Sequence, residues 1–67
     1  MRIELNGEAV ELAVGASVAQ VVDTLGADSA RGVAVAVDGE VVPRSAWAAT
    51  ALREGQQVEV LHAVQGG

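Results

Sequence analysis

The chain has 67 residues with no Cys and one His, which limits it to a single small domain and excludes both a disulfide framework and the usual structural zinc site. Nine acidic residues against four Arg give a formal charge of −5, and Trp47 is the sole aromatic. Nucleic acid is therefore an unsuitable partner on grounds of charge and of stacking, and a basic protein surface is the expected complement. The longest apolar run, Val33–Val37, falls far short of the roughly 20 residues a spanning helix requires, and no signal-peptide pattern follows Met1. A cytoplasmic protein with no membrane partner is expected.

Arg2-Ile3-Glu4-Leu5 alternates charged and apolar residues, the period of a half-buried strand. Asn6-Gly7 follows as a hairpin turn, because both residues tolerate positive φ, and Val10 and Leu12 alternate with Ala9 and Glu11 on the way back. Ser17 with Gln20 matches a capping box. Val18, Val21, Val22 and Leu25 then form one apolar stripe, so a helix is predicted from about Val18 to Leu25, with Gly26 as its C′ residue. A helix this short is unstable alone in water and must pack on a sheet.

Residues 27–32 read as a polar connection, Val33–Val37 as a strand, Asp38-Gly39 as a second hairpin turn and Glu40-Val41-Val42 as the returning strand. Pro43 ends that strand, since it donates no ladder hydrogen bond. The Ala-rich stretch from Arg44 to Leu52 is compatible with a helical turn, and Trp47 is the natural plug for the open end of a small core. Glu54-Gly55 marks another turn before a last strand over residues 58–64. The order, two strands, a helix and three strands, predicts an α+β domain over residues 1–64: a mixed sheet of about five strands with one main helix across one face. Residues 65–67 are left as a tail.

The residues offer no active site. Glu4 and Glu11 could meet across the first hairpin, but a solvated sheet face accounts for them; His62 reads as an ordinary strand residue, and Ser17 and Ser45 as cap or turn residues. No metal site and no bound cofactor are expected. The tail Gln65-Gly66-Gly67 differs, because a carboxylate that must enter another enzyme's active site needs a thin stalk, and glycine permits close backbone approach. Leu61 and Ala63 fall on the opposite side of the last strand from Val58 and Val60, and apolar residues on an outer face suggest a partner surface. Arg44 is a further candidate partner contact.

Taken together, the opening Ile3-Glu4-Leu5-Asn6-Gly7-Glu8, the Val33–Val37 strand, Gly39-Glu40-Val41-Val42-Pro43-Arg44 with Trp47, and the closing Val58-Glu59-Val60 and Ala63-Val64-Gln65-Gly66-Gly67 resemble the ThiS family. These are ubiquitin-like β-grasp sulfur carriers of thiamin biosynthesis, and the resemblance covers essentially the whole chain. Asp38 stands where the family often has Asn, and either residue suits the turn. The resemblance implies a carrier rather than an enzyme. An E1-like adenylyltransferase using Mg-ATP would activate the Gly67 carboxylate, with Gln65 and Gly66 threading its active site. A cysteine desulfurase or other sulfur donor would convert it to a thiocarboxylate, and thiazole synthase would receive the sulfur. The glycine ending is shared with the small subunit of molybdopterin synthase, which is one alternative. The other is a β-grasp interaction domain whose glycines carry no chemistry.

Overall fold

The computed structural model describes residues 1–25 and 32–62. They form five strands, β1 (Arg2–Leu5), β2 (Glu8–Glu11), β3 (Val33–Val37), β4 (Glu40–Val42) and β5 (Gln57–His62). One α-helix, α1 (Val18–Thr24), follows the first hairpin, and a 3-10 helix spans Arg44–Ala49. The strands make a single mixed sheet in the order β2-β1-β5-β3-β4. The last strand in sequence is thus the central one in space, parallel to β1 and antiparallel to β3. The architecture is the one expected, although the carboxyl end of the last strand, at residues 63–64, and the tail lie outside the described residues.

Both hairpins close with two residues in the left-handed region, Asn6 at φ 49° with Gly7 at 85°, and Asp38 at φ 50° with Gly39 at 83°. A turn of this kind matches the twist of the strands it joins and fixes their register. In the first hairpin Arg2 lies opposite Glu11 and Glu4 opposite Ala9. Glu4 and Glu11 therefore do not face each other. Instead, Arg2 Nε sits 3.3 Å from Glu11 Oε1, an exposed pair that contributes little stability.

At the start of α1 the predicted capping box is formed: Gln20 N donates to Ser17 Oγ at 3.2 Å, and Ser17 N donates to Gln20 Oε1 at 2.8 Å. Val18, Val21 and Val22 are buried. Leu25, assigned to the same stripe, is instead 41% exposed. The helix stops at Thr24, and Leu25 is its C-cap, so the fourth stripe position falls beyond the last turn that touches the sheet. Gly26 lies outside the described residues.

The core joins Ile3 from β1, the three valines of α1, Val35 from β3, Val58 and Val60 from β5, and Trp47 and Leu52 from the connection. Trp47 is 5% exposed and closes one side of this small interior, as the sequence suggested. Its Nε1 donates to Val42 O at 2.9 Å, which removes the penalty of burying an indole N–H. The connection is also tied to the helix entrance, where Val18 N donates to Thr50 O at 3.0 Å and Leu52 N to Ala16 O at 2.8 Å. Among the described residues no helix is long and apolar enough to cross a membrane, and no three potential metal ligands cluster.

Candidate functional site

Because β4 and β5 both run antiparallel to β3, they run in the same direction, and β1 runs with them. One end of the sheet therefore gathers the Asn6-Gly7 turn, the start of β3, the end of β4 and the end of β5. The chain leaves the described structure at that end, after His62. The opposite end carries the Asp38-Gly39 turn and an open cleft lined by Val37, Asp38, Glu40, Arg53 and Gln56, away from the exit.

Along β5 the side chains alternate as period two requires. Val58 and Val60 are buried against α1, and Gln57, Glu59 and Leu61 are exposed on the other face. Leu61 is 64% exposed and lies opposite Ala34. Ala36 lies opposite Glu59 on one side and opposite Val41 on the other, and Val41 is 71% exposed. Leu61, Ala34, Ala36 and Val41 thus make an apolar patch across three strands on the uncovered face, interrupted by the carboxylate of Glu59. Leu61 was legible as an outward residue. Val41 was missed, although its place between Glu40 and the inward Val42 carried the same period-two signal. Arg44 is exposed, opens the 3-10 helix just after β4, and so stands at the exit end; it makes no ion pair among the described residues. Ala63, Gln65, Gly66 and Gly67 lie outside the described residues.

Two turn side chains grip β5, and neither contact was read from the sequence. At the exit end Asn6 Oδ1 accepts from Val60 N at 2.9 Å while Asn6 Nδ2 donates to Val60 O at 3.3 Å. At the other end Asp38 Oδ1 accepts from Gln57 N at 2.9 Å and its Oδ2 from Gln56 Nε2 at 3.1 Å. β5 is thus held by β1 and β3 on its flanks, by α1 over one face and by a turn side chain at each end. His62 is exposed and pairs with Val33 in the ladder. The described residues assemble no nucleophile with a base.

Three comparisons bear on this arrangement. The ThiS family model matches residues 3–67. The sulfur carrier protein ThiS of Escherichia coli is 31% identical over 67 residues, covering 100% of both chains. A thiazole synthase of Paramagnetospirillum magneticum is 34% identical over 67 residues, but there the match takes up only 20% of the larger protein. Among solved structures, the crystal structure of the thiamine biosynthesis protein ThiS from Geobacter metallireducens superposes with a TM-score of 0.84 at 32% identity over the full length of both chains. A solution structure of a thiamine biosynthesis protein from the same organism gives 0.79 at 33% identity, covering 100% of this chain and 88% of that one.

Proposed function

The chain belongs to the ThiS family, a sulfur carrier rather than a catalyst, and from that premise we propose that its working group is the carboxylate of Gly67, loaded with sulfur for the thiazole of thiamin. The observation that carries this reading is the end-to-end match with a sulfur carrier, 100% of both chains, on a fold whose central strand is the last described before the two glycines in sequence.

The chemistry follows from what a carboxylate lacks. It is a poor electrophile, so an E1-like adenylyltransferase with Mg-ATP is needed to supply a leaving group. A Gly67 carboxylate oxygen attacks the α-phosphorus of ATP and displaces pyrophosphate, leaving an acyl-adenylate. The terminal sulfur of a persulfide, such as that of a cysteine desulfurase, attacks the acyl carbon and expels AMP. A thiol then reduces the resulting acyl disulfide and frees the thiocarboxylate. Gln65 and Gly66 are the stalk that the adenylating active site admits, and Gly66 and Gly67, lacking Cβ, pass where a larger residue would not.

Thiazole synthase is the proposed recipient, supported by the relative in which a region like this chain forms a fifth of a thiazole synthase. The exposed face bearing Leu61 and Val41, with Arg44 at the same end of the sheet, is the proposed docking surface for these partners. These reactions are placed in the cytoplasm. Capture experiments with the thiocarboxylate form test the assignment. Retention of thiazole synthase supports it, whereas retention of a large molybdopterin synthase subunit in its place moves the sulfur to a pterin.

A further inference from the structure

Asn6 does more than turn the chain. In a parallel ladder every second residue donates to one residue of the neighbouring strand and accepts from the residue two further on, and β1 follows this rule as far as its last partner: Glu4 N donates to Gln56 O at 2.9 Å and Asn6 N to Val58 O at 2.9 Å. The next step would require Asn6 O to receive Val60 N. At φ 49°, however, the Asn6 backbone has already turned away toward β2. Its side-chain amide takes over, accepting from Val60 N and donating to Val60 O. A primary amide is the one short side chain with the acceptor and the donor of a peptide group, and Asn is also among the few residues that tolerate a left-handed backbone.

We infer that Asn6 is a positioning residue for carboxylate activation: its side chain serves as one extra residue of β1 and anchors β5 at Val60, fixing the point from which the C-terminal stalk departs. The inference rests on the carrier reading. Gly67 is the seventh residue after Val60 and the fifth after His62. Five extended residues reach at most about 18 Å, so the placement of their root decides how often the carboxylate meets the activating centre once the body is docked. Releasing Val60 removes that fixed root and lowers the effective concentration of the carboxylate at the activating centre. The body's docking surface is untouched, so the loss appears in turnover rather than in affinity.

The test compares Asn6→Ala with Asp38→Ala. The second variant loosens the other end of β5 and serves as a control for loss of stability alone. Two quantities are read: hydrogen exchange at the Val60 amide by NMR, and kcat and KM for the carrier in adenylation by its activating enzyme. Asn6→Ala is expected to speed exchange at Val60 roughly tenfold to a hundredfold, the range set by an unmade hydrogen-bond pair. It should lower kcat about fivefold or more while KM stays within about twofold, and Asp38→Ala should leave kcat unchanged. Unaltered Val60 exchange, or an equal fall in kcat in both variants, overturns the inference while leaving the carrier reading intact. Failure of the unmutated chain to be adenylated overturns both. Should Asn6→Ala not fold, Asn6→Gly carries the same test, since glycine keeps the left-handed turn and removes both the acceptor for Val60 N and the donor to Val60 O.

Discussion

The two ends of β5 are held by the same device with different residues. Each has a hairpin residue at φ near 50° whose side chain reaches across to the central strand, Asp38 at the entrance and Asn6 at the exit. At the entrance both groups to be satisfied are N–H donors, from Gln57 and Gln56, and a carboxylate accepts both. At the exit one group is a donor and the other an acceptor, Val60 N and Val60 O, and an amide serves both where a carboxylate serves only the first. Turn propensity treats Asn and Asp as near equivalents. The difference lies in what the partner strand presents, so the two positions are interchangeable as turns and unequal as clamps.

The largest contrast between the ends is chemical. Deleting Gly67 should abolish sulfur loading and leave the melting temperature unchanged, whereas Asp38→Ala should lower the melting temperature and leave loading at saturating carrier intact. Loading that survives the deletion would remove the exit end's special role. Next in size is the wall shared by both ends: Trp47→Ala should destabilise the fold by about 3–5 kcal/mol in denaturant unfolding, because a buried ring and its hydrogen bond to Val42 are lost together. A loss below about 1 kcal/mol would mean that the ring does not close the core.

The clamps themselves are compared by exchanging their residues. Asn6→Asp should cost about 1–3 kcal/mol, since Val60 O loses its donor and faces a carboxylate, while Asp38→Asn should cost no more than about 1 kcal/mol at its exposed site. Equal costs would show that the turn matters and the clamp does not. The smallest effect on folding belongs to the outer face. Leu61→Asp should change stability by less than about 0.5 kcal/mol, because the residue is already mostly in water. It should also raise the carrier's KM for the activating enzyme about tenfold. An unchanged KM would remove Leu61 from the docking surface.

The fold was largely legible because its signals are local. Asn6-Gly7 and Asp38-Gly39 specify turns, Ser17 with Gln20 specifies a helix start, and the alternation in β5 sorts Val58 and Val60 from Leu61. What escaped depends on distance in space. The bond from Asn6 to Val60 joins residues 54 apart in sequence, and nothing near Asn6 announces it. Leu25 continued the helical stripe in sequence but passed the point where the helix ends, since a stripe records period and says nothing of length. The meeting of Glu4 and Glu11 failed for a related reason: the two-residue turn fixes pairing to the residue, and Glu11 falls opposite Arg2. The proposed site, two glycines after a strand, is read from composition and lies outside the described residues. The clamp that roots it was visible only in the assembled sheet.

The central claim is tested most directly by intact mass spectrometry of the chain after incubation with Mg-ATP, a persulfide donor with a thiol reductant, and the activating enzyme. The account predicts a mass increase equal to the exchange of one oxygen for sulfur, localised by fragmentation to Gly67. An unchanged mass at Gly67, under conditions where an established carrier is converted, would contradict it.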